Sequence, residues 1–242
     1  MRYVVISDIH ANLTALRAVL HDAGAFDAIW CLGDLVGYGP NPNECIDVLL
    51  EYPHVCIAGN HDWGAIGRSD LLVFNNEARK ALLWTQSELL PENRQYLMQL
   101  PASMSVGSFL MAHGSPREPI WEYLLDVERA KINFLAETFT IALVGHTHVP
   151  ITYEWLPQQR EARMLLPAWG EPLQLDSRRL IINPGSVGQP RDGDPRACYA
   201  ILDAEALTWE ARRVSYAVQI TQERMRIKDL PQRLIDRLEV GR

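Results

Sequence analysis

Five apolar runs in this chain stop abruptly at glycine, acid, asparagine or histidine. Tyr3–Ser7 runs into Asp8-Ile9-His10, Ala28–Leu32 into Gly33-Asp34, and Val55–Ala58 into Gly59-Asn60-His61-Asp62. Phe109–Ala112 runs into His113-Gly114, and Ile141–Val144 into Gly145-His146-Thr147-His148. A short apolar run with such an end reads as a buried strand that delivers polar residues at its tip. Strand tips along one sheet edge are where open α/β folds build sites. Cys31-Leu32-Gly33-Asp34 is the stretch the others are organised around.

The spacing between the runs sets the fold class. Strands near residues 2–7, 28–32 and 54–58 are separated by helical stretches, Asn12 to about His21 and Glu44 to Leu50. This β-α-β-α-β pattern predicts parallel strands. Residues 62–100 read as mostly helical, with an interrupted amphipathic stretch over Ala65–Trp84 and a second helix begun by Pro91 at its first position. Met104–Val106 and Ser108–Met111 read as strands joined at Gly107, and Glu128–Thr138 as a helix leading into the strand at 141–144. After Pro150 the pattern becomes short strands at Ile151–Trp155, Ala162–Leu166, Leu180–Ile182, Ala197–Asp203 and Leu207–Val214, then a helical tail from Val218 to Leu238 divided by Pro231. The expectation is a single domain, residues 1–242, of the α/β (α+β) class: a four-layer αββα sandwich of two facing mixed sheets flanked by helices. Residues 1–150 would form the βα half bearing the strand-tip residues, and 151–242 a second sheet with the C-terminal helices.

Composition excludes some classes. With 48% hydrophobic and 22% charged residues over 242 positions, the chain has the balance of a globular protein with a sizeable core. No stretch approaches the roughly 18 apolar residues of a membrane span. The N-terminus reads as a strand rather than a signal peptide, which predicts a cytoplasmic protein. Four cysteines, Cys31, Cys45, Cys56 and Cys198, form no CxxC pair and read as buried free thiols. A net charge of −7 argues against an extended nucleic-acid surface.

Five of the seven histidines stand just past predicted strand ends. In Asp8-x-His10 and His146-x-His148, an extended tip would place both side chains on one side, since strand side chains alternate. Asp34 carries two oxygens and can bridge two ions, and Asn60 offers a neutral carbonyl oxygen. Mixed imidazole and carboxylate donors suit first-row divalent ions such as manganese, iron, cobalt, nickel or zinc, and manganese is the expected cofactor. No cysteine ligand is apparent, which excludes a structural zinc pattern.

As a set, Asp8-x-His10, Gly33-Asp34, Gly59-Asn60-His61-Asp62, His113 and Gly145-His146-x-His148 resembles the calcineurin-like metallophosphoesterase superfamily, in the family's order. The resemblance implies that Asp8, His10, Asp34 and His148 hold one metal ion and Asp34, Asn60, His113 and His146 a second. It implies that His61 acts as general acid or stabilises the transition state, with Asp62 either orienting His61 or serving as an acid at a helix N-terminus. Two ions about 3.5–4 Å apart would clamp an in-line displacement at phosphorus by a bridging hydroxide. The implied reaction is hydrolysis of a phosphate ester.

The substrate is less constrained. Gly33-Asp34-Leu35-Val36-Gly37-Tyr38-Gly39 lacks the Asp-Arg pair of the protein phosphatase branch, where that arginine grips phosphate. Length and Asn183-Pro184-Gly185-Ser186-Val187 are more similar to the small bacterial YfcE-type phosphodiesterases, although the loop Gly37–Asn43 is richer. A phosphodiesterase acting on a small phosphodiester or nucleotide is the expected function; a phosphomonoesterase or protein phosphatase is the alternative. A non-catalytic scaffold on this fold would be expected to lose ligands or the histidine, and every position is filled here. Three further side chains are candidates for substrate: Arg191 and Arg196, in a Gly/Pro-rich segment that either covers the site or forms an exposed turn, and Asn12, which also stands where a helix N-cap belongs.

Overall fold

A computed structural model describes residues 1–242. The opening alternation is present as β1 (Arg2–Ile6), α1 (Leu13–Ala23), β2 (Ala28–Cys31), α2 (Pro42–Leu50) and β3 (His54–Cys56), with all three strands parallel. Next come α3 (Asn60–Ile66), a 3-10 turn at Leu71–Val73, α4 (Asn76–Glu88) and α5 (Pro91–Gln99). The interruption expected within Ala65–Trp84 is the break between α3 and α4. α3 stops at Gly67 in the left-handed region, and α4 restarts after Asn75, whose side chain accepts the Ala78 N–H. The chain continues as β4 (Ser103–Val106), β5 (Phe109–Ala112), α6 (Val127–Ala136), β6 (Ile141–Leu143), β7 (Ile151–Leu156) and β8 (Glu161–Leu165). It ends with β9 (Pro172–Gln174), β10 (Leu180–Asn183), β11 (Ala197–Asp203), β12 (Thr208–Val214), α7 (Val218–Ile227) and α8 (Gln232–Val240). No helix is long and apolar enough to cross a membrane.

The twelve strands form two six-stranded mixed sheets, ordered β3-β2-β1-β11-β12-β9 and β4-β5-β6-β10-β7-β8. Residues 151–242 thus do not make a second sheet of their own. β9, β11 and β12 join the first sheet, while β7, β8 and β10 join the second. Burial explains why two of these strands are interior. β10 is buried at every position and β11 at all but Asp203, so each needs cover on both faces and takes an interior place. β9 escaped notice because three residues show no alternation and its first is a proline, tolerated here at a sheet edge.

Alternation along the strands creates three apolar layers. Val4, Ile6, Ile29, Cys31, Tyr199 and Ile201 face the helices packed on the first sheet. Val5, Trp30, Leu32, Ala200 and Leu202 turn the other way and meet Phe109, Met111, Ile141, Leu143, Leu180 and Ile182 of the second sheet. Trp30 and Phe109 join the sheets edge to face, their centroids 5.4 Å apart. Ala142, Val144, Tyr153 and Ile181 line the outer face of the second sheet with Ala130 and Phe134 of α6. This is the expected αββα order, with α6 the helix on the second sheet. All four cysteines are buried free thiols.

Truncating Ile182, buried between the sheets, is expected to cost about 2–5 kcal/mol. Leu166→Ala, at a side chain 76% exposed, should change stability by no more than about 0.5 kcal/mol. Urea denaturation of the two variants checks the contrast.

Candidate metal centre

The tips of β1, β2 and β3 in one sheet and of β5 and β6 in the other deliver their polar residues to one place. Asp8, His10, Asp34, Asn60, His61, His113, His146 and His148 are all buried. Ligand atoms of Asp8, His10 and His148 lie within 4.8 Å of one another, and so do those of Asp34, His113 and His146. Asp34 Oδ2 stands 3.2 Å from His113 Nε2 and 3.6 Å from His10 Nε2, so one carboxylate oxygen reaches into both groups. Asp8 Oδ1 is 3.3 Å from His148 Nε2 and 4.0 Å from His113 Nε2.

The backbone achieves this differently from an extended tip. Asp8, His10, Asp34, His146 and His148 all have φ between 47° and 66°, in the left-handed region. Period-two alternation therefore does not place the two side chains of Asp8-x-His10 or His146-x-His148. The chain coils back at each tip, at a cost of roughly 1–3 kcal/mol per residue that only over-determined surroundings sustain. Asp and His are among the side chains that tolerate this conformation best.

Hydrogen bonds fix which atoms face the centre. His10 Nδ1 lies 3.1 Å from the Val36 carbonyl, His113 Nδ1 2.8 Å from that of Leu32, and His148 Nδ1 2.6 Å from that of Gln189. A carbonyl only accepts, so each Nδ1–H donates and each Nε2 is turned inward, carrying a lone pair in the neutral His10 and His148. His10 Nε2 and His148 Nε2 then face each other at 3.1 Å, lone pair against lone pair. Asn60 Oδ1 and His146 Nε2 are buried without any hydrogen-bond partner, and Asp34 Oδ2 and His113 Nε2 have only each other, 3.2 Å apart. Converging donors of this kind fit divalent cations, and the chemistry of the set, imidazole with carboxylate and amide oxygen, suits first-row ions.

Charge in the protein itself follows the same geometry. Burial pushes His10, His146 and His148 well below the usual imidazole range, into the neutral form that ligates metal. Burial opposes a charged His113 too, but the Asp34 carboxylate prevails and raises it to about 10. Asp34 is held low in spite of its burial, by His113 and then His61. Burial lifts Asp8 to about 6 and lowers His61 to about 4.

Asp62 does not orient His61. Its Oδ2 accepts the N–H groups of Asp34 at 2.8 Å and Gly59 at 2.9 Å, and its Oδ1 those of Leu35 at 2.9 Å and Val36 at 3.2 Å. Burial and the Asp34 charge push this carboxyl up to about 7, yet a protonated oxygen would find no acceptor among four donors, so the geometry selects the carboxylate. Asp62 lies in the first turn of α3 and clamps the loop that carries Asp34. Asp34 Oδ1 in turn accepts the His61 N–H at 2.8 Å. Gly59 has to be glycine, since a Cβ there would strike the Asp34 carboxylate.

The three substrate candidates separate. Arg191 lies at the mouth. Its Nη2 donates to Gln189 at 2.8 Å, its guanidinium stands 5.7 Å above the Tyr38 ring, and its Nε is buried and unpartnered. Arg196 is not brought to the centre, because its side chain is taken by Asp194. Asn12 is a cap: its Oδ1 accepts from Ala15 and Thr221, and its Nδ2 donates to Gly188 and Tyr216, so no polar atom is left for substrate. Tyr38, which by sequence could either line the mouth or be an ordinary loop residue, has its ring 4.6 Å from His10 and 4.3 Å from His61, and Tyr123, which sequence reasoning missed, lies 3.7 Å from His146. Tyr38 sits in a loop whose composition was its only signal. Tyr123 lies in a stretch without periodicity and carried none.

A family model described as the calcineurin-like phosphoesterase superfamily domain matches residues 1–207. The chain belongs to that superfamily. It is 37% identical to the uncharacterized protein MJ0912 of Methanocaldococcus jannaschii, over 98% of this chain and 97% of that one. A crystal structure of a metallophosphoesterase from Sphaerobacter thermophilus is 47% identical, covers 100% of this chain and 99% of its own, and superposes with a TM-score of 0.92. That of the hypothetical protein PH1004 from Pyrococcus horikoshii, 23% identical, shares the fold over 100% of this chain and 98% of its own, with a TM-score of 0.80. Membership makes this a phosphoesterase, and the two ligand groups are consistent with a dinuclear divalent metal site.

Replacing Asp62 with Asn removes an acceptor and turns a donor toward two backbone N–H groups. Loosening the loop behind Asp34 is expected to weaken metal binding about 10–100-fold. Metal titration followed by calorimetry reads this directly, and Asp62→Ala should show at least the same loss.

Proposed function

We propose that this chain is a phosphodiesterase acting on a small phosphodiester or nucleotide with two divalent ions, manganese first among them. The carrying observation is Asp34, whose Oδ2 reaches toward both groups of ligand atoms. Asp8, His10, Asp34 and His148 would hold one ion, and Asp34, Asn60, His113 and His146 the other. When bound, such ions supply Lewis-acid charge to phosphoryl oxygens and acidify water for attack on phosphorus.

The remaining steps belong to the chain's own side chains. His61 stands beside His10, ring centroids 4.9 Å apart, and is the one imidazole of the cluster left outside both ligand groups. In this reading it gives a proton to the leaving oxygen, and an incoming phosphoryl anion favours the protonated imidazole that burial alone disfavours. Arg191 offers its buried, unpartnered Nε–H to a phosphoryl oxygen. This replaces the arginine missing after Val36. Position 37 has no room for a side chain, since a Cβ on Gly37 would come 2.5 Å from His61 Nδ1. Substrate is small and phosphorylated in this reading, and the four buried, unpaired thiols fit a reducing compartment such as the cytoplasm.

Manganese-loaded protein is expected to hydrolyse bis-p-nitrophenyl phosphate in preference to p-nitrophenyl phosphate, and Asp34→Ala to abolish turnover. Preference for the monoester would replace this reading with a phosphomonoesterase. His61→Ala should lower kcat by roughly 10²–10⁴ while both ions stay bound, as measured by elemental analysis. Arg191→Ala should act mainly on KM.

A further inference from the structure

The mouth of the centre is walled by rings. Tyr123 lies across the His146 imidazole, centroids 3.7 Å apart and planes 30° apart, with 42% of the residue exposed. On the His61 side, Phe74 meets that imidazole edge-on at 5.1 Å, and Trp121 leans on Phe74 at 5.4 Å. The Phe74–Trp121 contact joins two segments whose neighbouring apolar side chains are exposed: Leu72 and Val73 in one, Tyr123 and Leu125 in the other. Apolar side chains left exposed around the mouth of a buried polar centre are a natural place for a ligand group to lie.

The wall is built, not loose. Glu122, between the two outer rings, turns inward and accepts from Ser115 at 2.6 Å, Asn133 at 2.9 Å and Arg117. The Trp121 N–H donates to Glu118 at 3.1 Å. Glu122 is thereby paired and turned away, and the rings of Trp121 and Tyr123 on either side of it are left to form the wall. Stacking on such a face suits any planar ring, because every base or aryl group has a π-face.

We infer that this wall binds a planar ring carried by the substrate, so that the phosphoesters taken are nucleoside or aryl esters and Tyr123 and Trp121 determine that specificity. The inference rests on the phosphoester reading above and adds the class of the esterified group. The phosphoryl group sits at the metal groups and Arg191, and the ring lies against Tyr123 and Trp121.

Calorimetry on manganese-loaded protein, with adenosine 5′-monophosphate, ribose 5-phosphate and inorganic phosphate as probes, reads this independently of turnover. The base is expected to tighten binding about tenfold or more relative to ribose 5-phosphate. Tyr123→Ala should lose most of that gain and Tyr123→Phe keep it, with ribose 5-phosphate bound equally by all three. Trp121→Ala, which touches Phe74 rather than a proposed ligand, should lose part of the gain with metal content unchanged, and keeps the test readable if Tyr123→Ala disturbs the ions. Equal affinity for the two sugar phosphates in the wild type, or a base effect that survives both alanine variants, overturns the inference. Ring-dependent binding without hydrolysis of either p-nitrophenyl ester would support it and count against the catalytic reading instead.

Discussion

The approach of His10 Nε2 to His148 Nε2, lone pair toward lone pair at 3.1 Å, is the constraint on which the rest of this site depends. Two such atoms repel unless something positive lies between them. Neither ring can escape by rotating, because the Val36 and Gln189 carbonyls hold the opposite nitrogens. The carbonyls belong to loops that are themselves tied down: Val36 by Asp62, and the segment before Gln189 by the Ser7 and Asp8 carbonyls, which accept from Val187 and Gly188. Repulsion at the centre is balanced by hydrogen bonding one layer out. This is the arrangement expected of a site pre-organised for cations rather than one that collapses onto itself.

Each ligand group straddles the two sheets. Asp8 and His10 come from the first sheet and His148 from the second; Asp34 comes from the first and His113 and His146 from the second. Bonds between sheets reinforce the seam, with the His146 N–H on the Asp8 carboxylate and His113 Nδ1–H on the Leu32 carbonyl. Relative placement of the ligands is therefore set by the apolar layer that registers the sheets, where Trp30 meets Phe109 and Leu202 shares a core with Ile182. Cations held across that seam would act as cross-links, so that metal binding and sheet packing stabilise each other.

The proposed ligands were legible because each sits at the end of an apolar run, where local pattern and chemistry coincide. What failed were inferences that needed the third dimension. Period-two alternation could not foresee left-handed backbone at Asp8, His10, Asp34, His146 and His148, since φ at a strand end is decided by what the loop must reach. The partition of the last strands between two sheets escaped for a similar reason: β10 and β11 declare that both faces are buried, but not in which sheet. Asn12, already standing where an N-cap belongs, and Asp62, readable as an acid at a helix start, each also admitted a site role, and their hydrogen-bond partners decide against it. Tyr123 had no sequence signal at all, because its place follows from the irregular segment that Glu122 pins.

The departure at Gly37-Tyr38 has a structural consequence that reaches across the fold. With no side chain at position 37, the His61 ring fills that space and leaves its Nδ1 without a partner. Tyr38, itself left-handed, covers His61 and His10 with its ring and presents its hydroxyl 3.4 Å from Arg191. The cation at the mouth is thus supplied by the segment after β10, in the second sheet, instead of by the loop that bears Asp34. Arg191 is anchored there through its own N–H on the His148 carbonyl, so the same short stretch fixes a proposed metal ligand and a proposed phosphate grip. Moving the positive charge to that side leaves the loop after Val36 aromatic and uncharged, and it is this exchange, guanidinium for ring, that sets the chain's mouth apart from the Asp-Arg pattern of the phosphoprotein phosphatases.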